Sequence, residues 1–205
     1  MSYLEFRSKM VGFACFNINQ VYAWHADFDR NNLTRWVKNG YLIKLRQGWY
    51  AFSEYKEKKD YSWYFANKMY APSYISLYSA LAFYGLIPEA VMQISSVSSL
   101  KTISFRNDFG EFTYRSVKDE IMFGYERKPL SDGRSIQVAT PEKAIIDLLY
   151  LYPFYKSEKD MLDLRMDEDF LHDELNRERL LQYTTQIGNN ALSARINMFI
   201  KTYEL

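Results

Sequence analysis

The 205-residue sequence has few of the residues that build disulfide frameworks, metal centres and nucleophile–base pairs. It contains one cysteine, Cys15, and two histidines, His25 and His172, that lie far apart along the chain. One cysteine cannot form a disulfide within the chain, which excludes a disulfide-stapled secreted fold and favours a reducing, cytoplasmic environment. Two distant histidines argue against a histidine-ligated zinc site and a serine–histidine–aspartate triad. We therefore expect Cys15 to be a small buried residue, and we expect no cofactor and no catalytic site.

Long apolar runs are also missing. Lys, Arg, Asn or Asp interrupts each candidate before it reaches the roughly 20 residues that cross a bilayer, and the N-terminus lacks the apolar segment of a signal peptide. We therefore expect neither a transmembrane helix nor a membrane partner. What the chain does contain is 48% hydrophobic and 18% aromatic residues, enough for a folded core in one large or two small domains.

The net charge of +1 conceals an uneven distribution. Residues 1–53 hold seven lysines and arginines against three acidic residues, whereas the remainder holds 19 against 22. A basic first segment and a mildly acidic second segment indicate that only the first segment meets a polyanion.

Residues 35–52 form the most informative stretch of the sequence. Its first part is typical of a basic helix that ends at Gly40, where a glycine can adopt the left-handed conformation that closes a helix. Alternating apolar and cationic residues follow over 41–46, Gln47 and Gly48 supply a turn, and the aromatic segment 49–52 is typical of a returning strand. A basic helix followed by a cationic hairpin predicts a winged helix-turn-helix, in which the helix enters the major groove and the hairpin rests on phosphates.

Two short helices are predicted before this one. The first covers about 3–12, and the second starts near Ile18 with Asn17 or Asn19 as its cap. Asp29 can cap the third helix, which runs to residue 39 and carries Leu33, Trp36 and Val37 on one apolar face. Three helices and the hairpin complete a predicted winged helix-turn-helix domain over residues 1–53.

The polar side of the third helix provides the candidate DNA contacts. Asn31 and Arg35 can read base edges, because asparagine pairs with adenine and arginine with guanine through two hydrogen bonds. Lys38 and the hairpin cations suit phosphates, and the alternative is a solvated helix face with no partner. The predicted DNA-binding residues are Arg30, Asn31, Thr34, Arg35, Lys38, Lys44, Arg46 and Gln47. In the hairpin, Tyr50 is expected in the core, whereas Trp49 could pack there or stack on a base.

Residues 54–205 are predicted to form a second domain. Thr140 and Pro141 are typical of a helix start, and the nearly apolar segment that follows predicts a core helix, in which Asp147 needs a buried partner. The remaining predicted elements are a linker or helix start over 54–60, helices over 61–70 and 74–84, strands over 91–98, 101–106, 111–117, 121–128 and 135–139, and a helical tail from 157 with breaks near 167–169 and 188–190. The predicted fold is therefore α+β: a winged helix-turn-helix, then an α/β domain with a mainly antiparallel sheet, flanking helices and a helical C-terminal tail.

Three segments resemble the AbiEi-like proteins, the antitoxins and transcriptional regulators of type IV abortive-infection toxin–antitoxin pairs. They are PSYISLYSALAFYGLIP at 72–88, FGY at 123–125 and ATPEKAIIDLLYL at 139–151, of which TPEK is the most specific. The resemblance covers roughly residues 30–151. It implies a first domain that represses the promoter of the pair and an α/β domain that counters the toxin. It also implies a nucleotidyltransferase-like toxin as the functional partner, without a stable complex between the two proteins.

Two other interpretations stay open. Asp108 or Asp119, upstream of Glu126 and Lys128, gives the residue types of a metal-dependent nuclease, although the Glu-x-Lys spacing recurs elsewhere in this composition. A winged domain that has lost DNA binding would instead leave a non-catalytic protein-interaction module. The favoured interpretation is a non-enzymatic autorepressor and antitoxin that binds double-stranded DNA at its own promoter, as a monomer in solution or a weak dimer on operator repeats.

Overall fold

The computed structural model describes residues 1–58, 60–89 and 91–205, and it is a mixed α+β structure with two sheets. The smaller sheet lies in the first 52 residues and the larger one in residues 73–139. Buried apolar side chains from both parts belong to one continuous core. No helix in the described ranges is long and apolar enough to cross a membrane, as expected from the sequence.

The N-terminal part combines three helices with a three-stranded antiparallel sheet of strand order β1-β3-β2. Its elements, in chain order, are α1 (Tyr3–Met10), β1 (Cys15–Asn17), α2 (Ile18–Trp24), α3 (Asn31–Lys38), β2 (Leu42–Arg46) and β3 (Trp49–Phe52). The three predicted helices and the predicted hairpin are present, and their interpretation as a winged helix-turn-helix stays a prediction. Strand β1 was not predicted, and the first helix ends earlier than expected because residues 11–13 form a 3-10 turn.

Local sequence signals explain where these helices begin and end. The Asn17 side chain accepts a hydrogen bond in the first turn of α2, and Gln20 Oε1 accepts one from the Asn17 backbone N–H, which completes a capping box. Asp29 was predicted to cap the third helix, but the N-cap position is Arg30, whose side chain makes no capping bond; the Asp29 carboxylate accepts from the Asn31 backbone at 2.9 Å one residue before it. Gly40 has φ +75°, the left-handed conformation predicted for the residue that closes α3.

The core of the N-terminal part is aromatic. The Phe6 ring is fully buried and lies 4.7 Å from Trp36 of α3 and 5.3 Å from Phe16 of β1, between ring centroids. Phe28 and Phe52 contact the same ring. This cluster ties α3 to α1 and the sheet, so the apolar face of α3 is directed inward and its polar face outward.

The second part contains a mixed sheet of order β6-β7-β5-β4-β9-β8. Among the described residues three neighbouring pairs are antiparallel and two, β4–β9 and β5–β7, are parallel. The strands are β4 (Ser73–Ile75), β5 (Gln93–Ser98), β6 (Ile103–Asn107), β7 (Gly110–Ser116), β8 (Tyr125–Pro129) and β9 (Ser135–Ala139), and the helices among them are α4 (Tyr61–Met69), α5 (Leu77–Phe83) and α6 (Pro141–Leu151).

Two predictions for this part were wrong in detail. The helix expected over 74–84 begins only at Leu77, because Ser73–Ile75 is a strand of the sheet. The strand expected over 121–128 begins at Tyr125, because Asp119–Ile121 is a 3-10 turn. The predicted helix start at Thr140 and Pro141 is confirmed: the threonine hydroxyl accepts from the Lys143 backbone, and proline occupies the first turn.

The C-terminal tail is helical, as predicted, and packs against α6. It consists of α7 (Glu158–Leu162), α8 (Glu168–Asp173), α9 (Arg177–Ile187) and α10 (Asn190–Thr202). Gly188, with φ +64°, ends α9, and the Asn189 side chain caps α10, so the predicted break at this point is confirmed.

The two parts contact each other beside the β2–β3 hairpin. The Asn107 side chain at the end of β6 donates to the Leu45 carbonyl at 2.9 Å. A second contact joins Arg134 to the N-terminal part: its guanidinium donates to the Gly12 carbonyl, and it also donates to Asp132 and, at 3.0 Å, to the Tyr61 hydroxyl. These bonds join the N-terminal part to the larger sheet through both backbone and side-chain groups.

Candidate nucleic-acid interface

Helix α3 presents one polar face to solvent. The five side chains predicted to contact DNA from this helix are all exposed: Arg30, Asn31, Thr34, Arg35 and Lys38. Leu33 and Trp36 are buried beneath them, as predicted, and Val37 is half-buried. Because three- and four-residue spacing places these side chains on one side of the helix, they form a continuous polar surface. We call these five residues the α3 face.

Arg35 of the α3 face forms a hydrogen bond within its own helix. Arg35 Nη2 donates to Asn32 Oδ1 at 2.6 Å, and Asn32 is itself buried. A guanidinium has five N–H donors, so this bond orients the group while leaving donors for an external acceptor. Preorganisation of this kind reduces the side-chain entropy lost on binding.

The hairpin places its three predicted contact residues in different surroundings. Lys44 and Gln47 are exposed. Arg46 is half-buried: its Nη1 donates to the Met69 carbonyl at 3.3 Å, and its guanidinium lies 5.0 Å from the Tyr70 ring centroid and 5.1 Å from that of Phe105. From the sequence, all three side chains were predicted to contact DNA, whereas in the structure Arg46 is bonded to the second part of the chain.

The two hairpin aromatics also differ. Tyr50 is buried and its ring lies 5.9 Å from Phe16, which confirms that it is a core residue. Trp49 is half-buried and lines a cleft between the hairpin and the second part. Cys15 in the neighbouring strand is buried, as expected, and desolvation raises the pKa of its thiol to about 12. A thiol with such a pKa is not a nucleophile at neutral pH.

The charged residues of α6 form a buried network. Lys143 and Asp147 are both 0% exposed and form an ion pair one helical turn apart. Asp147 Oδ2 also accepts from the Ser76 hydroxyl at 2.7 Å and from the Tyr74 hydroxyl at 2.9 Å, and burial beside this carboxylate raises the pKa of Tyr74 well above its usual value. The partner that the sequence required for Asp147 is therefore present. These four side chains hold α6 against β4 and are closed to solvent.

Gly124 and Glu142 lie beside this buried network. Gly124 has φ +72°, and a Cβ atom there would lie 2.9 Å from the Tyr183 ring and 3.0 Å from Lys143 Cγ. Glu142 is buried in the first turn of α6, where it accepts from the Asn176 backbone at 3.0 Å. The segment 139–151 thus connects the sheet to the helical tail through buried polar contacts, and a loop covers the lysine stem closely.

The acidic residues considered for a nuclease site do not share a site: Asp108 and Glu126 each pair with a different lysine. Asp108 lies 3.5 Å from Lys56, and Glu126 lies 2.7 Å from Lys128 in the same strand. Asp119 is exposed at the start of a 3-10 turn. In the described part of the chain no three His, Cys, Asp or Glu side chains lie close enough together to hold a metal ion.

The α3 face and the hairpin together make an exposed surface of amide, hydroxyl and cationic groups, with donors for phosphate oxygens and for base edges. The carboxylate of Asp29, the nearest acidic residue in sequence, accepts a hydrogen bond from the Asn31 backbone. No model of a known protein family matches the chain, and no curated protein matches it.

Proposed function

We propose that this protein binds double-stranded DNA, with α3 in the major groove and the β2–β3 hairpin on the adjacent phosphates. The observation that carries the proposal is the α3 face, whose five polar side chains are all exposed above a helix side that is buried in aromatic core. The element order supports it, since three helices, a strand after the first helix and a closing hairpin are the parts of a winged helix-turn-helix.

Within this proposal the contacts divide into two kinds. Asn31 and Arg35 read base edges, because their side chains can form paired hydrogen bonds with adenine and guanine. Lys38, Lys44 and Gln47 bind phosphates and set the position of the helix. The bond between Arg35 and Asn32 supports the first assignment, since it fixes a guanidinium without occupying all its donors.

The biological role in the proposal rests on the resemblance to AbiEi-like proteins. The protein represses its own promoter and counters a nucleotidyltransferase-like toxin without catalysis and without a stable complex. Co-expression with any such toxin encoded beside it is the direct test: growth rescue is expected, and unchanged toxicity would remove the antitoxin part of the proposal while leaving DNA binding in place.

The small size of the interface predicts modest affinity. One copy that neutralises about four phosphates would show a slope near −3.6 in a plot of log affinity against log salt, at about 0.9 per phosphate. We therefore propose that operator repeats bind two copies, which raises the effective affinity.

A salt-titrated binding assay tests the DNA-binding proposal. Fluorescence anisotropy would compare a duplex from the region upstream of the protein's own gene with a scrambled duplex of equal length. We expect tighter binding to the upstream duplex, and a steep loss of affinity with salt on both. Equal binding to both duplexes would end the claim of specificity, and no binding to either would end the claim of a DNA-binding domain.

A protein-interaction module is the second candidate. The packing of the hairpin favours it, because Leu45 and Arg46 are bonded to Asn107 and Met69 of the second part, and this attachment limits how far the hairpin can follow a duplex. The same anisotropy assay separates the two candidates.

A further inference from the structure

Two adjoining clefts run from the hairpin across the second part of the chain. The first, of about 330 Å³, lies between Gln47 and Trp49 of the hairpin and the end of α4. The second, of about 340 Å³, extends to Arg127 of β8 and Gln137 of β9. Lys68 and Ala71 line both clefts, so the two clefts adjoin, and we call them together the hairpin groove.

The hairpin groove is cationic and has no acidic wall. Among the described residues that line it, Arg46, Lys68 and Arg127 are cations and none is an aspartate or glutamate. Lys68 and Arg127 are exposed, and neither forms an ion pair with a carboxylate of the described chain. By contrast, Lys128 and Arg134 nearby are paired with Glu126 and Asp132.

The positions of Lys68 and Arg127 are set by contacts of their neighbours in α4 and the sheet. Asn67 Oδ1 accepts from the Gln137 backbone at 2.7 Å, which attaches the end of α4 to β9. Lys68 follows Asn67 in the chain, and Arg127 is the cross-strand partner of Gln137. The two unpaired cations therefore lie on regular elements, a helix and a strand, next to the Asn67–Gln137 hydrogen bond that joins α4 to the sheet.

We propose that the hairpin groove binds backbone phosphates of the DNA that flanks the segment contacted by α3. This inference rests on the proposed function and extends it, because it makes the second part of the chain a phosphate-binding surface. Lys68 and Arg127 neutralise phosphates, and the Ser135 hydroxyl and Gln137 amide can donate to phosphate oxygens. Gln47 of the hairpin and Lys68 line the same cleft, so a duplex lying on the hairpin tip would lie next to Lys68.

A DNA backbone fits this groove better than a free anion does. A small-molecule site encloses its ligand and directs several donors at one point, whereas here unpaired cations are spread along two open clefts. A duplex carries phosphates in succession along each strand, which matches cations arranged in succession.

The test uses the full-length double variant Lys68→Gln with Arg127→Gln. The matched control, Arg177→Gln with Lys201→Gln, removes one arginine and one lysine that are exposed on the helical tail. Affinity would be measured against salt on three duplexes: the upstream duplex, a scrambled duplex of equal length, and a short duplex trimmed to the segment protected by α3.

The groove variant should lose about tenfold in affinity at 150 mM salt on both long duplexes, and its salt slope should fall by up to about 2, at about 0.9 per phosphate. Its affinity for the short duplex should equal that of the wild type, and the control should match the wild type on all three. Unchanged slopes on the long duplexes, with the variant folded by circular dichroism, would overturn the proposal.

Two further outcomes separate this inference from the function it rests on. If the wild type discriminates the upstream duplex and the groove variant does not differ from it, only the groove proposal fails. If the wild type binds no duplex, both fail. Titration calorimetry with inorganic pyrophosphate provides a last arm: binding that the groove variant loses while it keeps full DNA affinity would identify a small-anion site and overturn the assignment to DNA.

Discussion

Helices α3 and α6 use charged side chains in opposite ways. In α6, Lys143 and Asp147 are fully buried and neutralise each other, and the carboxylate also accepts from two hydroxyls. In α3 and at the residue before it, the cations at 30, 35 and 38 are exposed, and none is paired with a carboxylate in the described chain. The charges of α6 are paired within the folded protein, whereas those of the α3 face are available to bind a partner.

The spacing of charged residues along a helix therefore does not by itself say whether their side chains are buried or exposed. The Lys143–Asp147 spacing of four residues is the spacing of an ordinary surface ion pair, yet both groups lie in the core. Arg35 has a similar intrahelical contact, with Asn32, and remains exposed. Variants in each helix should therefore affect different measurements: folding for α6 and DNA binding for α3.

The largest expected effect comes from removing one member of the buried pair. Asp147→Ala leaves the Lys143 ammonium without its carboxylate in a dry core and should cost about 3–5 kcal/mol of unfolding free energy. Urea unfolding followed by tryptophan fluorescence measures this loss.

The double variant Lys143→Met with Asp147→Leu is the control, because it removes both charges and should recover most of the stability. A single variant that loses less than about 1 kcal/mol would contradict the assignment of this pair to the core.

A methyl group at Gly124 should give the next largest effect. Its Cβ would press on the Tyr183 ring and the Lys143 stem, and φ +72° is unfavourable for alanine, so Gly124→Ala should cost about 2–4 kcal/mol. Gly133→Ala is the matched control, since Gly133 has φ +83° with no atom within 4 Å of its Cβ position. We expect about 1 kcal/mol there from the backbone alone, and equal losses at the two sites would argue against close packing over Lys143.

On the α3 side, Arg35→Ala should reduce discrimination between the upstream and scrambled duplexes by about 1–3 kcal/mol, the value of one paired contact with a base. Stability should fall by about 1 kcal/mol, because Asn32 Oδ1 loses its donor. Lys201→Ala on α10 serves as the control for charge. Equal loss of affinity on both duplexes would assign Arg35 to phosphate instead of to a base.

The smallest expected effect is that of Lys44→Ala. Since this exposed lysine is assigned to a phosphate, its removal should weaken all sequences alike and reduce the salt slope by about 0.9. Arg46→Ala is the companion variant. Because the Arg46 guanidinium donates to the Met69 carbonyl and lies against two aromatic rings, its removal should change the salt slope less than the removal of Lys44 does. A larger slope change for Arg46 than for Lys44 would reverse these roles.

The predictions from sequence succeeded where the signal is local. The cap at Asn17, the glycine that closes α3 and the Thr140–Pro141 helix start depend on residues within one turn of each other, and all three are confirmed. Strands β1 and β4 were missed because each has three residues, too few to show a period of two. Their partners, such as Ala51 for Cys15, come from elsewhere in the chain.

The helices and hairpin of the first part, the polar residues of the α3 face and the need of Asp147 for a partner all follow from the amino-acid sequence. That this partner is Lys143 together with Tyr74 and Ser76, and that the second part binds Arg46 while Lys68 and Arg127 stay unpaired, follows from the folded arrangement. Caps and turns are formed by neighbours in the chain, whereas burial and charge pairing depend on residues that meet only when the chain has folded.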